Sequence, residues 1–262
     1  MKKFYLPIAA FAVAAMLWGC GEKKEVAPNP DQSFEKVKAA GVLVLGHMGM
    51  FPPMILLGKD SNVVGFDIDL AKEVCARMGL KLKTQRISWV DKENELNANH
   101  VDCIWNGMSV DSARAAAMNV SDPYLTNRLV FAVKDSSIAN LESLKGKKIA
   151  VQKATTAETM LAKSDVGKAA AEIMMFENME LAMEAMAAGN ADAVFMDEVF
   201  AKNWNVRKGT SYSIIEEGNY KEVFAIGFRK KDQALRDSVN AALASMKNDG
   251  KFAAISAKWF GN

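Results

Sequence analysis

The strongest constraint on the fold is a rhythm of short apolar runs and helical stripes that begins twice. Val42, Leu43, Val44 and Leu45 form an apolar run closed by Gly46, the pattern of a buried strand. Residues 64–70 lead into a helix over 71–78, with Leu70, Val74, Cys75 and Met78 at helical spacing and Gly79 as its stop. A strand over 80–87, a helix around 91–98 and a strand over 101–105 follow. The rhythm resumes with a strand over 148–151, a helix from Thr156 and a strand over 173–176. A helix over 179–188 comes next, with Leu181, Ala182, Ala185 and Met186 on one face, and then a strand over 191–196. Strands alternating with helices predict an α/β fold with parallel sheets. Leu96 and Met186 each precede an aspartate by six residues, Asp102 and Asp192, and each aspartate opens a strand, which suggests two lobes of similar construction. The last segment, 232–260, reads as helical with Leu235, Val239, Ala242, Leu243 and Met246 on one stripe.

The N-terminus is of another kind. Met1-Lys2-Lys3 is a basic start, and the apolar run 4–18 is shorter than the ~20 residues of a membrane-spanning helix, so residues 1–19 read as a secretory signal. Leu17-Trp18-Gly19-Cys20 resembles the lipobox of bacterial lipoproteins, which implies a diacylated Cys20. Residues 20–32 carry both charge signs, two prolines and no apolar period, the composition of a lipidated tether. Removing Lys2 and Lys3 from the 33 basic residues leaves 31 against 31 acidic ones, so the mature chain has no general attraction to nucleic acid. Cys75 and Cys103 each sit in an apolar pattern and read as buried thiols rather than a disulfide framework.

In open parallel sheets a ligand sits beyond the carboxyl ends of the strands. That rule selects 46–54, 106–114, 154–158 and Asp197. Arg114, after the small-residue stretch from Asn106 through Gly107 to Ser109, can grip a carboxylate with two parallel bonds, with the Ser109 hydroxyl giving a third. Thr155-Thr156-Ala157-Glu158 has capping-box spacing after a strand, and such a helix start turns free N–H groups toward an anion. Asp197 is a candidate partner for an ammonium group, and Phe51 and Trp89 offer flat faces. Singly, each residue has an ordinary structural reading: a solvated arginine, a plain cap, a turn aspartate, core aromatics.

These landmarks lie in an order that is similar to the extracytoplasmic amino-acid-binding proteins that feed ABC transporters. The resemblance is carried by Val64-Gly-Phe-Asp-Ile-Asp-Leu-Ala, by Val101-Asp-Cys-Ile-Trp-Asn-Gly-Met-Ser followed by Arg114, by Ser121-Asp-Pro-Tyr124, by Leu144-Lys-Gly-Lys-Lys-Ile-Ala-Val-Gln and by Lys258-Trp-Phe-Gly. It implies the two-lobe, type II periplasmic-binding-protein fold, each lobe a mostly parallel sheet flanked by helices. Lobe 1 is then 33–126 with 224–262, lobe 2 is 127–223, and two hinge crossings lie near 125–128 and 223–225. It further implies that Arg114, Ser109 and the Gly107 backbone meet an amino acid's α-carboxylate together with Thr156, that Asp197 receives the α-ammonium, and that Phe51 and Trp89 sandwich the ligand. No cofactor is implied; the partners are an amino acid, a membrane permease and the membrane reached through Cys20, and the protein is expected to be a monomer.

Two departures bear on the ligand. Ala154 stands where the family usually has Gly, and Met48 where several members that recognise basic amino acids have Asp. Asn106 and Gln152 can hydrogen-bond an uncharged polar side chain, so the expected ligand has a neutral one. A rival reading is a cyclohexadienyl dehydratase-like enzyme on the same scaffold, with Glu198 or His47 as its acid. A sensory ligand-binding module is a third. His47 and His100 lack metal-ligand spacing, and neither GxxxxGK[ST] nor GxSxG occurs.

Overall fold

The computed structural model describes residue 1 and residues 31–261, except 59, 61 and 219. The signal segment, the lipidation expected at Cys20 and the tether up to residue 30 lie outside the described residues. From residue 31 the chain is tied to the body: Asp31 Oδ2 accepts from the Ala234 N–H and Ser33 Oγ from the Leu235 N–H at 3.0 Å.

The element order is α1 (Ser33–Ala40), β1 (Val42–His47), β2 (Leu56–Leu57), β3 (Val63–Val64), α2 (Phe66–Met78), β4 (Lys81–Arg86), α3 (Lys92–Asn97), β5 (Cys103–Ser109), α4 (Ser112–Ala117), β6 (Asn119–Val120) and β7 (Leu125–Val133). It continues with β8 (Lys148–Gln152), α5 (Thr156–Lys163), α6 (Asp165–Ala169), β9 (Glu172–Phe176), α7 (Met179–Ala187), β10 (Ala193–Asp197), α8 (Glu198–Lys208), β11 (Ser213–Ile215), β12 (Lys221–Phe228), α9 (Gln233–Asn248) and α10 (Lys251–Phe260).

Hydrogen bonding runs in the order β4-β1-β5-β12-β7-β10-β8-β9. Two parallel triplets, β4-β1-β5 and β10-β8-β9, stand at the ends. The sheets are mixed rather than parallel throughout, because β12 and β7 enter antiparallel to their neighbours. These two strands carry the chain out and back, and a returning strand laid beside an outgoing one must oppose it. Neither was legible as a strand from apolar period alone.

Sidedness follows the pleat. On β7, Leu129, Phe131 and Val133 join one apolar cluster while Val130 and Ala132 join another, so the strand is buried on both faces and shows no alternation in its sequence. The α9 stripe is buried as expected, at Leu235, Val239, Ala242, Leu243 and Met246. The α7 face is the expected one in part, at Ala182 and Met186, but is rotated toward Met179 and Met183. Met179, Ala182, Met183 and Met186 are buried, whereas Leu181 is exposed. Helix α2 begins at Phe66, ahead of the expected 71, because Gly65 at φ +142° lets the Met54 carbonyl come within 2.0 Å of where a Cβ would stand. The 232–260 helix is two helices, divided at Gly250 with φ +81°.

Candidate functional site: a cavity at the strand ends

Strand β5 delivers Asn106, Gly107 and Ser109, all buried. Gly107 takes φ +54° and lies under Phe51, where an added Cβ would meet the ring at 2.7 Å. Its N–H donates to Asp67 Oδ2 at 2.6 Å, and the Tyr124 hydroxyl donates to Asp67 Oδ1 at 2.9 Å. Asp67 is fully buried in the first turn of α2. Burial pushes its carboxyl up to about 7, against the pull of these two donors.

Arg114 stands on α4, whose N-cap Asp111 accepts from the Arg114 N–H at 2.7 Å. Its guanidinium is buried and donates to Ser109 O at 2.7 Å and to Ala154 O at 3.0 Å, with Cζ 5.8 Å from the Trp89 ring centroid. Burial lowers its pKa, and the charges of Asp111, Glu93, Glu222 and Asp197 oppose that drift.

The loop after β8 closes the other side. Thr155 Oγ1 accepts from the Glu158 N–H at 3.2 Å, the cap expected from the spacing. The Glu158 carboxylate reaches one residue further back, to the Ala154 N–H at 2.6 Å. The other first-turn N–H groups of α5, those of Thr156 and Ala157, have no intrahelical carbonyl to serve and remain available to an anion. Ala154 adopts φ +55°, the left-handed conformation that suits the glycine usual at this place in the family.

Asp197 ends β10 and is buried. Its Oδ1 accepts from Asn127 Nδ2 at 2.7 Å, and the same Nδ2 lies 3.3 Å from Glu222 Oε2. Burial and the neighbouring Glu222 charge hold the Asp197 carboxyl well above the usual range, opposed by Asn127 and Arg114. The Ser109 hydroxyl donates to Glu222 Oε2 at 2.8 Å, so its proton is not free for a carboxylate as the sequence reading expected. Glu222, Asn127 and Asp67 were missed by that reading. Glu222 and Asn127 fall on the unread strands β12 and β7, and Asp67 sat unremarked inside a motif read for its helix.

One small cavity of about 20 Å³ is lined by Phe51, Trp89, Asn106, Gly107, Ser109, Arg114, Gln152, Thr155, Thr156 and Asp197, together with Met48. All ten residues singled out from the sequence therefore meet at one place, with Met48 beside them. Met48 N–H fixes the Asn106 amide by donating to Oδ1 at 2.9 Å, which leaves Asn106 Nδ2 a buried donor without a partner. Phe51 stacks on Phe200 of α8, centroids 5.7 Å apart.

Neither acid considered for the enzyme reading is suited to proton donation. Glu198 is bound by Arg128 at 2.7 and 2.9 Å and by Lys202 at 2.6 Å, which lowers its pKa, so it has partners that the sequence reading did not find. His47 is buried, pushed down to about 4, and absent from the cavity lining. Among the described residues no three His, Cys, Asp or Glu side chains gather as a metal site, and no helix is long and apolar enough to cross a membrane. Cys75 and Cys103 are buried free thiols, with Cys75 pushed up to about 12.

Two parallel triplets joined by a pair of crossing strands, with a cavity holding Arg114 and Asp197 at their ends, define a two-lobe ligand-binding protein of the type II periplasmic fold. The chain belongs to the bacterial extracellular solute-binding proteins, family 3, which it matches over residues 43–262. It is 30% identical to the L-cystine-binding protein TcyA of Bacillus subtilis (strain 168) over 270 residues, covering 100% of this chain and 98% of that one. It is 25% identical to the L-cystine-binding protein TcyJ of Escherichia coli (strain K12), covering 86% and 85%. A histidine-bound ABC uptake transporter substrate-binding protein from Streptococcus pneumoniae superposes with a TM-score of 0.83 at 29% identity, covering 89% of this chain and 97% of that one.

Proposed function

We propose that the protein captures a free amino acid with a neutral side chain between two lobes, 33–126 with 224–262 and 127–223, and delivers it to an ABC importer. It does so without catalysis, held at the outer face of a membrane by a lipid on Cys20. One observation carries the reading: a buried guanidinium, Arg114, and a buried carboxyl, Asp197, line the same cavity. Those two groups match the two ends of an amino acid zwitterion. Arg114 already spans the cavity to Ala154 O, so a carboxylate arriving among Arg114 and the first turn of α5 would favour the closed arrangement by its differential affinity. Relatives named for cystine and histidine binding support the ligand class. The neutral preference rests on the lining: apart from Arg114 and Asp197 it is uncharged, with Met48, Asn106 and Gln152 around the remainder.

The test is a thermal-shift screen of the twenty common amino acids and L-cystine, since a ligand at 100 times its Kd adds about 2.7 kcal/mol of stability. Calorimetry on Arg114→Ala should then show a loss of about 2–5 kcal/mol of binding, because a carboxylate would be left buried without its partner. Undiminished affinity would remove the basis of the proposal.

A further inference from the structure

The surroundings of Asp197 contain more hydrogen-bond acceptors than one carboxyl accounts for. Glu222 on β12 and Asn127 on β7 are directly paired across the two crossing strands. The Asn127 Nδ2 group is directed at both carboxylates, 2.7 Å from Asp197 and 3.3 Å from Glu222, which fixes the amide's orientation. Its Oδ1 is consequently a buried acceptor with no partner. Ser109 Oγ gives its proton to Glu222 at 2.8 Å and so offers only lone pairs to anything else. Asp197 and Ser109 Oγ, both in the cavity lining, thus form an acceptor-rich corner backed by Asn127 and Glu222 of the crossing strands.

Of the charged groups on the elements packed there, Arg114 on α4 spends donors on Ser109 O and Ala154 O. Arg128 on β7 is held by Glu198 and Glu216, and Lys221 on β12 is exposed. The corner lacks a cation with several N–H donors, and a primary ammonium has three.

We propose that Glu222 is a positioning residue for the ligand's amino group: by holding the Ser109 proton it leaves Ser109 Oγ as an acceptor, and by holding the Asn127 amide it fixes the Asp197 carboxyl beside it, so that both face a primary ammonium. This rests on the reading that Asp197 meets the amino group of an amino acid, and it adds the residues that make the site demand an ammonium rather than any small polar group. Amino acids are selected over their 2-hydroxy counterparts, and primary amines over N-methylated ones. Because Glu222 and Asn127 belong to the two crossings themselves, the amino group is recognised at the hinge.

The experiment takes whichever of the twenty common amino acids or L-cystine gives the largest thermal shift, together with its 2-hydroxy counterpart, and measures both by calorimetry. Glu222→Gln should weaken the amino acid about tenfold or more, the range of a lost charge-assisted bond. It should change the hydroxy acid less than about threefold, so the discrimination ratio narrows; a merely structural role would weaken both alike and leave the ratio intact. Ser109→Ala should narrow the ratio in the same direction, and it decides the matter should Glu222→Gln fail to fold. An unchanged ratio in the folded variants, with Asp197→Asn still weakening the amino acid, overturns the role of Glu222 alone. Unchanged binding in Asp197→Asn, or no shift with any amino acid, overturns the reading beneath it as well.

Discussion

Replacing Tyr124 by Phe tests the buried support under the cavity. The substitution keeps the ring, which packs 6.4 Å from Phe66 and 6.1 Å from Trp105, and deletes only the hydroxyl that donates to Asp67 at 2.9 Å. A hydrogen bond to a neutral acceptor is worth about 1 kcal/mol and one to an ionised acceptor about 1.5–3 kcal/mol. Which value applies depends on pH, because Asp67 titrates at about 7 in the fold against 3.8 as its ordinary value. A carboxyl raised on folding makes the native state hold a proton that the unfolded chain releases, so its contribution to stability falls as pH rises from about 4 to 7 and is level above that. The lost hydroxyl favours the ionised form, so its removal raises the Asp67 pKa further and extends the loss above pH 7. Urea unfolding of the parent and the variant at pH 5 and pH 8 should give a cost of about 1 kcal/mol at the lower pH and about 1.5–3 kcal/mol at the higher. Other titrating groups cancel in the difference. Equal cost at both values, or a larger cost at pH 5, would show that Asp67 does not ionise in the fold as argued.

Two other substitutions probe the cavity and the anchor. Gly107→Ala forces a left-handed alanine and a Cβ against the Phe51 ring, which should destabilise the protein by about 1–3 kcal/mol in denaturant titration and weaken amino acid binding in calorimetry. Wild-type values in both would contradict the tight approach. Cys20→Ala should move the protein from the membrane to the soluble fraction on fractionation of expressing cells, and retention on the membrane would exclude the lipid as its anchor.

The sequence disclosed the ends of the strands better than the strands themselves. Asn106, Arg114, Thr156 and Asp197 were findable because each follows an apolar run with a helical stripe after it, and the rule for open sheets turns that order into a place. The α9 stripe was readable because its outer face is polar, which gives the period contrast. Strand β7 has no such contrast, being buried on both sides at Leu129 to Val133, and α7 carries so many methionines and alanines that its inward face could not be told from its flank. Glu222 and Asn127 were hidden for a different reason. Their meaning lies in partners 113 and 70 positions away, Ser109 and Asp197, and no local pattern encodes a bond of that length. The Asp67 carboxyl was similarly silent until Gly107, 40 positions on, was seen to donate to it.

Arg128 and Lys221 face each other as ladder partners, so the polypeptide leaves the first triplet and comes home at points only about 5 Å apart. Everything between them is therefore a cassette with adjoining ends. It can be cut out and replaced by the corresponding stretch of a relative without rerouting the backbone, and such a graft would exchange Thr156 and Asp197 while keeping Arg114. Half of the proposed site lies on this cassette and half outside it, so the two halves are open to separate exchange by recombination as well as by point mutation.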